Sequence, residues 1–385
     1  MIPLNASNVI FQNFNQDENL ILKVSKSSFL PTKIKKNSIS IINSSNIIEG
    51  FEFYLCFDKK ILNNINFKGK KIILLEDKFS YLDEGDIIRI NLMDKRVKVL
   101  FRKKSKNNSF LVTERCNHYC LMCSQPPKNI NDEWIFEEIN KIIPLIDKKT
   151  EVIGLTGGEP TLQKQSFLKL IKNFSNFLPE TKVHILSHGK TFQDIKFAKD
   201  FSDFSNYNTV IGIPLYSDIS NIHNYIVQCE NAFDETIRGI INLKKLGQIV
   251  ELRFVIHQLN FDRLEKFAEF VVRNLCFVDH VALMGLELMG FARANIDDLW
   301  IDPFLYKDNL SAAVNTLSLN GINVSIFNHQ LCTLNSDVYE FAVKSISDWK
   351  NDFLPNCGNC KKKLECGGFF SSQLLRPSEH IKPFQ

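Results

Sequence analysis

The sequence predicts an α/β chain whose centre is an open, partial barrel of parallel strands. Two observations carry this. From Ser109 to about residue 320, short β-branched runs alternate with stretches of helical period. That order implies parallel strands with helices outside. Two short motifs, one cysteine-rich and one glycine-rich, follow the first two strands of the series, where a parallel barrel carries its active-site loops.

Residues 1–108 read as a separate, small, mostly-β domain. The runs Ser38 to Ile42, Phe51 to Cys56, Lys71 to Leu75, Ile87 to Asn91 and Arg96 to Phe101 are separated by turn residues such as Asp83-Glu84-Gly85-Asp86. They carry no chemical motif, and a domain of this kind could dock a peptide by strand addition.

Residues 109–322 form the barrel. Its predicted strands are Phe110 to Thr113, Glu151 to Leu155, Lys182 to Leu186, Thr209 to Leu215, Val250 to Ile256 and Val278 to Met284. The spacing predicts helices after Asn131-Asp132-Glu133, over Gln163 to Phe177, Asn231 to Leu246 with Gly247 as C-cap, Phe261 to Leu275 and Phe304 to Leu319. Six βα units fall short of the eight of a closed barrel and leave a lateral gap for a large substrate. Residues 323–385 read as an irregular, cysteine-rich third domain.

Composition limits the partners. The 385 residues have a net charge of +4, with 44% hydrophobic and 23% charged residues. That balance is ordinary for a globular protein and gives no argument for nucleic acid or an anionic membrane. The Lys runs at 33–36, 102–104 and 361–363 read as solvated loops. Met1 to Ala6 lacks the form of a signal peptide, Lys382 to Gln385 carries no lipidation signal, and no apolar run reaches the ~18 residues of a membrane span. A cytoplasmic protein is the expectation. Ten cysteines there point to metal or redox chemistry rather than a disulfide framework.

Cys116, Cys120 and Cys123 stand in C-x3-C-x2-C spacing directly after the first barrel strand. Three thiolates this close cannot all pair as disulfides and are one short of a closed zinc site. On an iron–sulfur cube they leave one iron open. After the second strand comes Thr156-Gly157-Gly158-Glu159-Pro160, a turn whose glycines allow close backbone approach and whose carboxylate suits an ammonium group. Ser187, in Leu186-Ser187-His188-Gly189, and Ser217 end the third and fourth strands, and both fit a ligand contact or an ordinary turn. His188, His223 and His257 read as structural or surface residues rather than catalytic ones. Near the end, Cys357, Cys360 and Cys366 form C-x2-C-x5-C, and Cys332 upstream completes four thiolates, enough to close one centre of zinc or iron–sulfur. Cys56, Cys229 and Cys276 read as small buried apolar residues.

The two motifs in register resemble the radical S-adenosylmethionine (SAM) enzymes over roughly Ser109 to Asn320. The resemblance implies a radical SAM partial barrel in which Cys116, Cys120 and Cys123 hold a 4Fe–4S cluster. SAM would chelate the open iron, and Gly157, Gly158 and Glu159 would receive its amine. Reductive cleavage would yield a 5′-deoxyadenosyl radical, fed by an external electron donor. Met122 stands where the superfamily usually has an aromatic residue, and its thioether suits an adenine face. Ser187 and Ser217 would be further SAM contacts. The last domain would resemble a twitch- or SPASM-like module with one auxiliary 4Fe–4S cluster on Cys332, Cys357, Cys360 and Cys366.

Val343 to Lys350, the Cys366-Gly367-Gly368-Phe369-Phe370-Ser371 ending, Ala232 to Gly239, and Thr113 to Cys116 leading into Cys123-Ser124-Gln125-Pro126-Pro127 resemble the C-type radical SAM maturase of the His-Xaa-Ser system. That implies a precursor-peptide substrate, a crosslink or related modification, and a second radical SAM subunit as partner. Two other readings stay open at this point: a non-catalytic zinc-binding interaction protein, and a radical SAM enzyme acting on a tRNA or small molecule.

Overall fold

The structure is a computed structural model that describes residues 2–14, 19–42, 47–64, 69–344 and 352–385, with backbone only at 62–64. The stretch Ser345 to Lys350, part of the maturase resemblance, lies outside the described residues. The chain divides into two compact units: Met1–Asn108 with Glu138–Glu151, and Ser109–Glu137 with Val152–Gln385. The cysteine-rich ending therefore belongs to the barrel's own unit.

The first unit is built on an eight-stranded mixed sheet. Its strands are β1 (Asn5–Ala6), β2 (Ile10–Gln12), β3 (Asn19–Ser25), β4 (Ser38–Ile41), β5 (Phe53–Cys56), β6 (Lys71–Leu74), β7 (Ile87–Asn91) and β8 (Arg96–Phe101), in the order β1-β8-β7-β3-β4-β5-β6-β2. The β3–β4, β4–β5 and β5–β6 ladders are parallel. Two short helices, Thr32–Lys36 and Lys59–Asn64, fall between β3 and β4 and between β5 and β6, so the unit is mostly β with parallel crossovers at its centre. All four residues of β5 are buried, Phe53 and Leu55 in one apolar cluster, Tyr54 and Cys56 in another. Central parallel strands covered on both faces read as continuous apolar runs. The edge strands β1 and β2 have two and three residues, which leaves little edge for strand addition.

The second unit carries eight strands in strict chain order. They are β9 (Asn108–Thr113), β10 (Val152–Gly157), β11 (Lys182–Leu186), β12 (Val210–Pro214), β13 (Ile249–Ile256), β14 (His280–Gly285), β15 (Val324–Phe327) and β16 (Ala342–Val343). The ladders from β10 to β16 are parallel. Among the described residues no ladder joins β9 to β16, so the sheet is open. The six predicted strands are all present, and β15 and β16 extend the same sheet into residues 323–385, the stretch expected to be separate. Helices Glu133–Ile142, Lys164–Phe177, Ala232–Lys245, Leu264–Asn274 and Lys307–Leu319 match the predicted ones within a few residues, and Gly247 follows at a positive φ of 73°. Helices Ile195–Phe204 and Ser220–Val227 were not legible.

Strand side chains also build a polar network. Glu251 accepts from Arg253 Nη1 (2.8 Å) and pairs with His280 Nδ1 (2.9 Å) and His184 Nε2 (3.4 Å). His280 Nε2 lies 2.9 Å from Ser325 Oγ. Burial pushes the Glu251 carboxyl up, but these partners outweigh it and hold the group well below the usual carboxylate range. Among the described residues no helix is long and apolar enough to cross a membrane.

Candidate functional site

The cysteine loop leaves the C-terminal end of β9 and is stitched to the turn after β10. Gly158 N donates to Thr113 O (2.8 Å) and Glu159 N to Arg115 O (2.7 Å). A Cβ at Gly158 would stand 2.0 Å from Arg115 O, and one at Gly157, where φ is +147°, would stand 2.3 Å from Thr113 O. The glycines are therefore required by one loop's approach to the other loop, not only by approach to a ligand.

Asp132 fixes the other side. Its Oδ2 accepts from Thr113 Oγ1 (2.8 Å) and Glu114 N (2.6 Å), and its Oδ1 from Gln163 Nε2 (3.1 Å). In the sequence Asp132 reads as part of a helix cap; its side chain instead ties the start of the cysteine loop. Gly290 (φ +55°) completes the clamp. A Cβ there would meet Cys123 O at 2.5 Å and Ser124 O at 2.7 Å. Phe291 N donates to Cys123 O (2.8 Å) and Asn295 Nδ2 to Leu121 O (2.9 Å). Neither glycine nor asparagine announces this role, because the partners are backbone atoms over 160 positions away in the chain.

Glu159 is fully buried and engaged within the protein. Its Oε1 accepts from Thr161 N (2.9 Å), Thr161 Oγ1 (2.5 Å) and Ser187 Oγ (2.8 Å), and its Oε2 from His188 N (2.7 Å). Burial pushes the carboxyl up against these donors. These bonds lock the β10 and β11 ends together. Ser187 is half of that lock and also accepts from Gly189 N (3.1 Å). Ser217 is buried and accepts from Ile219 N (3.1 Å), the turn role weighed for it. Met122 is buried among Ile226, Ala292 and Leu299, so its thioether serves the core.

The three thiols are partly buried. Burial pushes Cys116 up to about 12 and raises Cys120 and Cys123 as well, with neighbouring thiolates adding to the rise at Cys116 and Cys120. Without a cation the site holds neutral thiols, and binding one would release their protons. His118, which the sequence reading passed over, is 3% exposed, and neither ring nitrogen has a partner. Its ring stacks on His188 at 4.1 Å between centroids. Burial, then the neighbouring His188, lowers it to about 3. His188 Nδ1 accepts from Lys190 N (3.1 Å), leaving Nε2 to donate to Asn117 Oδ1 (2.8 Å). Orphaned nitrogens beside three thiols fit a site that takes up a further group. His188, His223 and His257 are buried rather than on the surface.

Cys332, Cys357, Cys360 and Cys366 line one recess with about 360 Å³ of empty space, together with Phe353, Phe369 and the segment Ile381–Phe384. Among the described residues no group of three His, Cys, Asp or Glu side chains is set to grip a single metal ion. A second recess, of about 420 Å³, lies at the ends of β13, β14 and β15, lined by residues including Ile256, Gly285, Trp300, Tyr306, Asn328 and Arg376. Gln330 and Phe369 line both recesses. Of the isolated cysteines, only Cys56 is buried; Cys276 is exposed, and Cys229 lies 3.6 Å from Lys190 Nζ.

The second unit is an open, chain-ordered parallel α/β sheet with a three-cysteine loop after its first strand. Residues 110–271 match the model of the Radical SAM superfamily. This region, less than half of the chain, carries a radical SAM domain, whose superfamily binds SAM and an iron–sulfur cluster, and the protein is an enzyme. Among curated relatives, the GTP 3′,8-cyclase of Campylobacter jejuni is 26% identical over 283 residues, covering 69% of this chain and 79% of that protein. The Fe-coproporphyrin III synthase of Methanosarcina barkeri is 26% identical over 219 residues, covering 53% and 52%. Among solved structures, Streptococcus suis SuiB bound to S-adenosylmethionine aligns with TM-score 0.48 and 11% identity over 63% of this chain and 53% of that one, so the chain spans about half of SuiB. Native anSMEcpe with bound AdoMet gives TM-score 0.44 and 17% identity over 57% and 63%. The family match sets aside the non-catalytic zinc-protein reading of the whole chain.

Proposed function

We propose that this chain is a peptide-modifying radical SAM maturase acting on a ribosomally made precursor, of the His-Xaa-Ser type that its sequence resembles. The observation that carries the peptide reading is the second recess. It lies on the strand ends that face the same rim as the cysteine loop, and among the described residues Arg376 is its only charged lining residue. That guanidinium already sits over Trp300 (4.3 Å) and 3.5 Å from Asp297 Oδ1. Apolar, aromatic and amide side chains with one engaged cation suit a peptide segment better than a polyphosphate.

Cys116, Cys120 and Cys123 would hold the 4Fe–4S cluster, and the backbone of Gly157, Gly158 and Glu159 would face the SAM amine. When bound, these groups supply a 5′-deoxyadenosyl radical that abstracts hydrogen from the substrate. The protein's part is to position them. Asp132 and Gly290 hold the cysteine loop from two sides, and Glu159 with Ser187 fixes the neighbouring strand ends. Met122, Ser187 and Ser217 act here as supports rather than contacts. The four cysteines of the first recess would hold one auxiliary 4Fe–4S cluster. A second radical SAM subunit and an external electron donor complete the proposal, and a cytoplasmic setting suits free thiols.

The test is anaerobic incubation with SAM, a reductant and a precursor carrying His-Xaa-Ser repeats, with and without the second subunit, read by mass spectrometry. A mass loss equal to the hydrogens removed by a crosslink is expected. An unchanged peptide in both arms overturns the substrate assignment. A nucleotide or other small molecule is the second reading, favoured by the 26% identity to GTP 3′,8-cyclases. GTP consumption by the same preparation, with the peptide untouched, would establish it.

A further inference from the structure

We infer that the segment Ile381–Phe384 is a built-in lid that, with four cysteines, closes the C-terminal metal centre against substrate. This rests on the proposal that Cys332, Cys357, Cys360 and Cys366 hold a metal centre, and goes beyond it by excluding substrate from the metal.

Four thiol side chains line one recess, so a four-metal cluster there would have one protein thiolate for each metal. The remaining wall is the lid, and it is fastened at several points. Phe384 N lies 3.4 Å from Cys360 Sγ and is positioned to donate to it. Lys361 N donates to Phe384 O (3.0 Å), so the two segments grip each other in both directions. The Phe384 ring packs edge-on against Tyr339 at 5.9 Å, and Lys362 Nζ lies over both rings at 5.1 and 4.3 Å. On the opposite wall Gly368 N lies 3.5 Å from Cys366 Sγ. Backbone donors aimed at ligand sulfurs are what a charged, thiolate-rich centre requires when water is shut out.

The recess left for substrate is then the neighbouring one, separated from the centre by Gln330 and Phe369. Gln330 is not free to swing away, since its Nε2 donates to Gly368 O (2.9 Å). The centre is placed beside the substrate and not under it. Its ligands come entirely from the chain, which suits one-electron exchange across the wall and excludes direct ligation.

The test uses the full chain, reconstituted anaerobically, with Cys116, Cys120 and Cys123 replaced by Ala so that only this centre reports. Two probes are applied: a small thiol as exogenous ligand, read by the electron paramagnetic resonance spectrum of the reduced centre, and a chelator, read by the rate of metal release. The expected result is a spectrum unmoved by added thiol, and metal release about tenfold or more faster when residues 381–385 are deleted. Cys332→Ala should make the spectrum respond to the thiol. A response in the parent, or a release rate indifferent to the deletion, overturns the lid. If the parent holds zinc and no iron, the auxiliary-cluster proposal fails, while the chelator arm still decides the lid. The milder Phe384→Ala, which keeps the chain length, should raise the release rate in the same direction.

Discussion

The Ser187 hydroxyl donates to Glu159 Oε1 across 2.8 Å, joining the end of β11 to the turn after β10 beneath the cysteine loop. The Glu159 side chain accepts four hydrogen bonds and offers none, and His188 Nε2 lies 3.4 Å from its Oε2. Glu159→Gln would turn an amide N–H toward one of those donors, in a place without water. A loss of about 1–3 kcal/mol is expected, with Ser187→Ala costing nearer 1 kcal/mol. Urea denaturation of the metal-free protein checks this, since it isolates the lock from any cofactor. Equal stability of all three proteins would remove the locking role.

The glycines of the loop junction should behave as backbone constraints. Gly158→Ala and Gly290→Ala leave all three thiols in place, yet each puts a methyl within 2.5 Å of a carbonyl oxygen of the cysteine loop. Both variants should lose roughly 2 kcal/mol or more of stability. Both should also retain less iron at the cysteine loop than the parent after the same reconstitution. Gly321→Ala is the comparison, because φ is +77° there too but no atom lies within 4 Å of the added methyl. A Gly290→Ala protein that matches Gly321→Ala in iron content would exclude the clamp.

His118 gives opposite expectations for the empty and loaded protein. In the empty protein its two buried nitrogens have no partner. His118→Phe keeps a ring against His188 and should raise stability by about 1 kcal/mol. After reconstitution that gain should shrink or reverse, because the loaded site supplies a partner. Melting temperatures of the four samples decide it, and an identical gain in both states would show a purely structural ring.

Buried histidines outside the cysteine loop set an acid limit. Burial lowers His223 and His257 to about 3 and His329 to about 4. Below about 6.5 the unfolded chain binds protons at these positions and the folded chain does not. Stability that is complete above pH 6.5 is therefore lost as pH falls toward those values, each residue contributing up to about 1.4 kcal/mol per pH unit. The melting temperature should drop steeply from pH 6.5 to 5, and a flat profile would contradict the burial of these rings.

Much of this molecule is legible in its sequence, and the parts that are not share a physical cause. Period-two and period-3.6 patterns report which residues face a core, so the barrel strands from Phe110 to Met284 and their long helices emerge from pattern alone. The cysteine spacings are local, and they mark both groups. What does not show is anything set by partners distant in the chain. Asp132 reads as a helix cap because sequence shows its neighbour Glu133 and not Thr113's hydroxyl. Val324–Phe327 reads as part of an irregular ending because four residues of strand carry little periodicity, and only pairing with β14 places them in the sheet. Ser187 and Ser217 offered two readings each, and the internal hydrogen bonds of both favour the supporting one.

The most direct test of the central claim is formation of 5′-deoxyadenosine from SAM under anaerobic, reducing conditions, by the parent and by a Cys116→Ala, Cys120→Ala, Cys123→Ala variant, each with iron counted beforehand. Product from the parent alone, with about four fewer irons in the variant, is the expected result. A parent that carries its full iron and forms no 5′-deoxyadenosine, or a variant that forms it equally well, would contradict the assignment of this loop as the radical-generating site.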